Sequence, residues 1–319
     1  MNYEDFKTNL IDEIQANSEK AIIFTNEIIT KANAILEGLT MRLEGEMIAP
    51  TIYPRKLYED YQKGVPLTQI ADAVSASFKM TVPEIPKLTS ENAEKSISFS
   101  LVNKEKNRHM LENCPYKELH DLAAIPKWHI SEEASFIVNN NLMQKLRMTK
   151  EEVLDIAQRN TEAGNYICKS MDQVMKEMMM MDGMPEDLAN EMFPPDQIPF
   201  YVISNEKKMD GSCAVLSDSF MQKTAEKIGA EELYLLPSSR HEMLAVDSNL
   251  IDDSAELKSM VIEVNSDPNV IQTEDYLSDS IYKYNALTHS LSVCDSKGLF
   301  HDKGLSKDAP KQAISRGRD

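Results

Sequence analysis

The stretch from Leu233 to Val246, LYLLPSSRHEMLAV, places a short polar segment between two apolar runs. The apolar runs are typical of strands, and Pro237, Ser238 and Ser239 are typical turn residues. The stretch therefore predicts two antiparallel strands joined by a tight turn. Because Ser238 to Glu242 also includes an arginine, a histidine and a glutamate, a hydrolase active site is the competing interpretation.

The residues around this hairpin predict a repeated hairpin-plus-helix unit. Asp210-Gly211 is a strong hairpin signal, and Gly229 is placed to end a helix. The predicted order is strands at 200–205 and 212–216, a helix at 218–229, strands at 232–236 and 242–246, and a helix at 253–265. In the second helix, Leu257, Met260, Val261 and Val264 follow helical spacing. This ββαββα order is an α+β pattern, and residues 280–293 predict a further hairpin.

The first half of the chain predicts a mixture of helices and strands. Phe6, Leu10 and Ile14 recur at helical spacing, three β-like runs follow, and residues 67–78 predict a second helix. Residues 96–103 alternate as a strand does. Thr149 with Glu152 forms a capping-box pattern that predicts a helix start.

These patterns divide the chain into five expected parts. They are an N-terminal α+β part (1–90), a central strand and helix part (91–170), a Met-rich connecting segment (171–197), the C-terminal ββαββα part (198–295) and a disordered basic tail (296–319).

Composition and charge bound the function. The 319 residues carry a formal net charge of −18, which disfavours nucleic acid as a partner except through the basic tail. The four cysteines are scattered and form no C-x-x-C pair, and no apolar run is long enough to span a membrane. We therefore expect a cytoplasmic protein that binds no membrane. Common nucleotide, esterase and metalloprotease motifs are absent, so we expect no cofactor.

Eight of the 19 methionines lie between Met171 and Met192. Thioethers can bind copper(I), but this stretch has no His or Cys and many carboxylates, which suit a soft metal poorly. Methionine also suits adaptable packing and contact surfaces. We therefore expect packing or a partner contact here, and no metal.

The polar tip from Ser238 to Glu242 is the main candidate contact site. If His241 begins a strand, His241 and Glu242 point to opposite faces, which disfavours a local Glu–His relay. The sequence thus favours a polar turn between the two strands, and Ser238, Ser239, Arg240, His241 and Glu242 are a candidate surface contact loop. In that case alanine at Ser239, Arg240 and His241 leaves folding nearly intact.

A second pattern offers a metal-dependent hydrolase or nuclease. Asp196, Glu206 and Lys208 resemble the PD…ExK arrangement, in which carboxylates hold a divalent ion and the lysine stabilises charge. The pattern is short, and a polar turn is the simpler interpretation.

A third cluster joins cysteine and histidine. Arg108, His109, Cys114, His120 and Asp121 lie close together in sequence, but nothing there lowers the thiol pKa. A buried thiol and exposed histidines are expected. Trp128 and the tyrosines near position 58 are expected to pack in the interior.

Three pieces together carry a family resemblance. They are residues 48–70, residues 102–123, and residues 201–216 followed by 233–246. Their order resembles an uncharacterised bacterial domain-of-unknown-function family found in Gram-positive gut anaerobes and mobile elements. The chain also resembles, more faintly, a second uncharacterised family from bacilli. The resemblance covers residues 1 to about 290 and implies no activity.

The sequence therefore favours a non-enzymatic cytosolic interaction or regulatory module. The metal-dependent hydrolase or nuclease is the alternative. Partner, biological process and oligomeric state stay open.

Overall fold

The computed structural model describes residues 1–43, 51–80, 89–129, 135–294 and 300–301. The predicted Pro-rich segment after residue 81, the acidic turn at 131–133 and most of the predicted tail lie outside these residues. Within them the architecture is α+β with antiparallel sheets, as predicted.

The N-terminal part is a helix-covered sheet. In chain order its elements are α1 (Tyr3–Ala16), β1 (Ile22–Lys31), β2 (Ala34–Leu43), β3 (Thr51–Ile52), α2 (Pro54–Gln62) and α3 (Leu67–Met80). Phe6, Leu10 and Ile14 of α1 are buried, as their spacing predicts, and Phe6 contacts the rings of Tyr58 and Tyr61 at 5.2 and 5.3 Å. This part thus has an apolar core of its own.

The central part is a sheet in the order β4-β6-β5, with β7 paired to β6. Its elements are α4 (Ser90–Ser96), β4 (Ile97–Asn103), α5 (Arg108–Leu111), β5 (Lys117–Leu119), β6 (Leu122–His129), β7 (Ser135–Ile137), α6 (Asn140–Leu146) and α7 (Lys150–Glu162). Helix α7 begins with the predicted capping box between Thr149 and Glu152. Trp128 is 1% exposed, as expected for a core residue.

The C-terminal part is a seven-stranded sheet in the order β14-β13-β12-β10-β11-β9-β8. Its elements are β8 (Tyr166–Ser170), α8 (Met171–Met181), α9 (Glu186–Met192), β9 (Tyr201–Asn205), a 3₁₀ helix (Gly211–Leu216), α10 (Asp218–Ile228), β10 (Glu232–Ser239), β11 (Glu242–Asp247), a second 3₁₀ helix (Ser248–Leu250), α11 (Ser254–Ser266), β12 (Tyr282–Asn285), β13 (Ser290–Cys294) and β14 (Phe300–His301). The predicted strands at 232–236 and 242–246 and the hairpin at 280–293 are present.

The predicted strand at 212–216 is wrong, because Gly211–Leu216 forms a 3₁₀ helix. Strand β9 pairs with β8 along one edge and with β11 along the other. Neither edge of β9 is left for residues 212–216, so the predicted hairpin partner cannot pair. All six residues of this 3₁₀ helix are buried, a pattern that differs from the alternation of a half-exposed strand.

Helix α11 buries a narrower face than predicted. Leu257 and Val261 are each 6% exposed, whereas Met260 and Val264 are each 39% exposed. The helix covers the outer face of the C-terminal sheet, where Leu236, Val246 and Ile281 lie.

The central and C-terminal sheets share the largest apolar core. It includes Phe99 and Leu101 of β4, Val153 of α7, and Leu233 and Leu235 of β10. The two sheets are therefore packed as one unit, and polar groups at their junction have to be satisfied there.

Candidate functional site

The tip of the β10–β11 hairpin lies half-buried against neighbouring segments. Each of Ser238, Ser239, Arg240, His241 and Glu242 is only partly accessible. His241 Nε2 lies 2.9 Å and Arg240 Nε lies 3.1 Å from Oδ1 of Asp275. The structure thus turns the two basic side chains of the predicted contact loop toward the protein.

Both ring nitrogens of His241 are engaged. The backbone N–H of Asp210 donates to Nδ1 at 3.1 Å, so Nε2 carries the proton that is donated to Asp275. Ser239 Oγ accepts a bond from the backbone N–H of His241, and Ser238 Oγ donates to Glu242. No nitrogen of this imidazole is left to deprotonate a serine, so the tip lacks the geometry of a hydrolase triad.

A buried ion pair lies behind the tip. Lys127 Nζ of β6 donates to Oδ2 of Asp210 at 2.5 Å, and the two side chains are 11% and 6% exposed. Ser100 Oγ donates to the other oxygen of Asp210 at 2.8 Å, and Arg240 Nη1 lies 3.7 Å from it. Asp210 is therefore surrounded by donors on both oxygens.

The charge state of Asp210 follows from two opposed effects. Burial alone would raise the pKa of this carboxyl, but the adjacent Lys127 ammonium, followed by Arg240 and the Ser100 hydroxyl, outweighs it. The pKa of Asp210 is accordingly held below its ordinary value, and the group is an anion at neutral pH.

These side chains form a network, here called the buried network after its buried centre and defined as Ser100, Lys127 and Asp210, which are buried, with Arg240, His241 and Asp275, which are partly exposed. Ser100 and Lys127 belong to the central sheet, whereas the other four belong to the C-terminal part. The network therefore ties the two sheets together at their polar junction. Removing one partner of a buried pair leaves an uncompensated charge, which is costly.

Gly211 allows the chain to pass close to the hairpin tip. A Cβ at this position would lie 2.4 Å from Ser204 Oγ and 2.5 Å from the carbonyl oxygen of His241. Asp210 itself has a φ of +53°, in the left-handed region. Asp210-Gly211 thus forms a tight turn that positions Asp210 in the network, but it does not lead into the second strand of a hairpin.

A recess of about 250 Å³ opens beside the network. Its lining includes His129, whose Nε2 lies 3.0 Å from Ser98 Oγ. Burial, followed by the positive charge of Lys127, lowers the pKa of His129. Burial raises the pKa of the Cys213 thiol, also in the recess, to about 12. The recess thus offers a neutral imidazole and a protonated thiol, which is a poor nucleophile.

The PD…ExK residues are placed at opposite ends of one strand. Asp196 precedes β9 and is close enough to Tyr201 for its charge to add to burial in raising the tyrosine pKa. Glu206 and Lys208 follow Asn205 at the other end of β9. A strand from Tyr201 to Asn205 spans about 13 Å from its first to its last Cα atom. All three are exposed. The geometry gives the nuclease hypothesis no support.

The Cys/His cluster is also dispersed. Cys114 is buried, its Sγ lies 3.2 Å from the carbonyl oxygen of Pro115, and burial raises its pKa to about 12. The side chain of His109 is 78% exposed. Asp121 accepts a 2.6 Å bond from the Tyr282 hydroxyl. Within the described part of the chain, no three His, Cys, Asp or Glu side chains are grouped to hold a metal ion.

The Met-rich segment forms a helical hairpin, here called the Met-rich hairpin and defined as residues 171–200. Helix α8 ends in a Schellman turn, in which Gly183 at φ +95° donates to the Met180 carbonyl and Met184 donates to the Met179 carbonyl. Helix α9 returns toward β9. The exposed apolar side chains of the Met-rich hairpin are Met178 (53%), Met180 (37%), Met181 (84%), Leu188 (46%) and Met192 (54%).

The sequence matches the family model described as a family of unknown function, DUF5688, over residues 3–286. The chain belongs to this family. The match includes the Met-rich hairpin and the buried network. No curated protein and no solved structure matches the chain.

In this DUF5688 member, sequence patterns do not predict Ser100 and Lys127, the two residues that the central sheet contributes to the buried network. Lys127 was available as a signal, because it is a lone charge within the apolar strand LAAIPKWH. A lysine at such a position needs a buried acceptor. Asp275, in the segment before β12, gave no comparable signal.

In the described residues, no helix is both long and apolar enough to cross a bilayer.

Proposed function

We propose that this DUF5688 chain is a non-enzymatic interaction protein and that the Met-rich hairpin is its contact element. The observation that carries the proposal is the cluster of exposed Met and Leu side chains on α8 and α9. Single exposed apolar residues are normal on a surface, but several together mark interaction sites.

The exposed side chains are not accounted for by the cores. None of the methionines between 171 and 192 belongs to an apolar cluster formed by the described residues. The buried residues of α8 and α9 are Asp172 and Ala189. The segment therefore contributes little burial for its length.

The C-terminal sheet does not require the hairpin for its connectivity. Ser170 of β8 is the direct antiparallel partner of Tyr201 of β9, and the Met171 N–H donates to the Phe200 carbonyl at 2.8 Å. Antiparallel strands in this register can be joined by a two-residue turn. A segment of this length at that point favours a role outside the sheet.

The hairpin is also held in a defined conformation. The Asp172 carboxylate, 3% exposed, accepts bonds from the backbone N–H groups of Gln197 and Ile198 at 3.1 and 3.3 Å. Together with the Schellman turn, these bonds fix both ends of the hairpin. A preorganised surface loses less entropy when a partner binds.

A photo-crosslinking experiment tests this proposal. A benzophenone amino acid replaces Met181, which is 84% exposed, in the full chain, and Leu287, which is 72% exposed and outside the hairpin, is the matched control position. We expect a discrete polypeptide adduct at position 181 in a native extract. An excess of the parent chain without the benzophenone group should abolish this adduct, because it occupies the partner.

The control position decides what an adduct means. Adducts of the same pattern at both positions, or none at position 181, would contradict the interaction role. Competition by a chain in which Asn-Gly replaces residues 172–199 would also contradict it, since that chain lacks the proposed contact element.

A further inference from the structure

The exposed apolar side chains of the Met-rich hairpin form two stripes. Met178 and Met181 are three residues apart on α8, and Leu188 and Met192 are four residues apart on α9. Both spacings place the side chains of a helix on one face. Helices α8 and α9 contact each other, so the two stripes belong to one helical unit.

The hairpin that carries these stripes is also rich in acidic residues. Residues 172–199 contain seven Asp or Glu side chains and one lysine, a net charge of −6. Asp182, Glu186, Asp187 and Glu191 are exposed. Two of the seven have cationic partners at close range, because Glu177 pairs with Lys169 at 2.7 Å and Glu186 lies 4.0 Å from Lys176.

We propose that the Met-rich hairpin binds a basic amphipathic helix of a partner protein, an inference that rests on the interaction role proposed above. The apolar face of that helix packs on the methionines, and its Lys or Arg side chains meet the surrounding carboxylates. Methionine suits this use because its flexible thioether side chain adapts to partners of different shape.

Charge decides between this partner and the other possible occupants. A second copy of the hairpin would bring a net charge of −6 against an equal charge, which is repulsive. An acidic peptide or a nucleic acid is disfavoured for the same reason. A neutral apolar peptide would gain no electrostatic attraction from the exposed carboxylates. A basic amphipathic helix complements both features at once.

The test is a titration with designed peptides. The probe is a labelled Leu/Lys peptide whose sequence order gives a helix one apolar and one basic face. Two matched peptides accompany it, one with Glu in place of Lys and one with the same composition in scrambled order. Binding to the full chain is measured by fluorescence anisotropy at about 0.15 M salt and at lower salt.

Three protein variants separate the surface from the overall charge. They are the chain with Asn-Gly in place of 172–199, the double variant Met178→Gln/Met181→Gln, and the control Leu287→Gln. The first variant still carries a net charge of −12, because the removed residues account for −6 of the −18. It therefore keeps the non-specific attraction for a cationic peptide.

We expect the ordered basic peptide to bind the parent and the Leu287→Gln chain equally. Its affinity should fall about tenfold or more for the other two variants. Equal binding to the parent chain and the Asn-Gly chain would overturn the proposal, because attraction would then come from overall charge. Equal binding of the scrambled or the acidic peptide, or no binding, would overturn it as well.

The crosslinking experiment makes the two failures distinguishable. If position 181 yields a competed adduct but the ordered basic peptide does not bind, the interaction role stands and the partner class is wrong. If neither result is obtained, both proposals fall.

Discussion

The buried network and the Met-rich hairpin distribute polar and apolar side chains in opposite ways. In the network, charged residues such as Lys127 and Asp210 are 11% and 6% exposed and satisfy one another. In the hairpin, apolar residues such as Met178 and Met181 are 53% and 84% exposed. Charged side chains thus pair at the junction of the two sheets, beside their shared apolar core, whereas apolar side chains of the hairpin are left exposed. Residue type alone thus does not say which region carries function.

The largest expected effect comes from breaking the buried pair. We expect Asp210→Ala to lower the free energy of unfolding by about 3–5 kcal/mol, because Lys127 is left charged and unpaired in the interior. Chemical denaturation measures this change. The double variant Lys127→Met/Asp210→Asn should recover most of the loss, since no uncompensated charge remains and asparagine both tolerates the left-handed backbone and can accept from Ser100. A single-variant loss below about 1 kcal/mol would mean that the pair is not structural.

The pH dependence of stability gives a second test of the network. The folded-state pKa of Asp210 lies below its unfolded value, so its contribution is present above about pH 4 and is lost as the pH falls through the folded pKa. We expect the stability difference between the parent chain and Asp210→Asn to be constant between pH 5 and 7 and to shrink in acid. Denaturation curves at each pH measure it. A difference that grows as the pH falls would contradict the sign.

Much of the fold could be predicted from local patterns. The capping box at Thr149, the core spacing of Phe6 in α1 and the β10–β11 hairpin all depend on neighbouring residues, and the structure contains them. The strand at 212–216 could not be judged locally, because it depends on whether β9 has a free edge. That edge is taken by β8 and β11, which are distant in sequence.

The site was less predictable for a related reason. The tip from Ser238 to Glu242 has turn composition, and turns usually lie on the surface. Its orientation depends on Asp275 and on the segment around Asp210, neither of which adjoins the tip in sequence. The sequence also singles out the Met-rich segment, since eight methionines lie within residues 171–192, and its role as a contact element stays a prediction.

A smaller effect is expected at the tip of the hairpin. His241→Ala removes the acceptor of the Asp210 N–H and the donor to Asp275. We expect a loss of about 1–3 kcal/mol in the free energy of unfolding, because a buried donor is left without a partner. Thermal and chemical denaturation measure it. Ser238→Ala, which removes a hydroxyl that bonds to Glu242, is the matched control and should cost less. Equal, negligible losses would restore the exposed-loop interpretation.

The smallest effect, and the most direct test, concerns the hairpin itself. The central claim is that the Met-rich hairpin is dispensable for folding and serves contact, whereas the network serves stability. The measurement is the free energy of unfolding of the chain with Asn-Gly in place of residues 172–199. We expect a loss below about 1 kcal/mol, or a gain, because a shorter connection between paired strands costs less closure entropy. A loss as large as that of Asp210→Ala would show that the hairpin belongs to the folded core and would contradict the account.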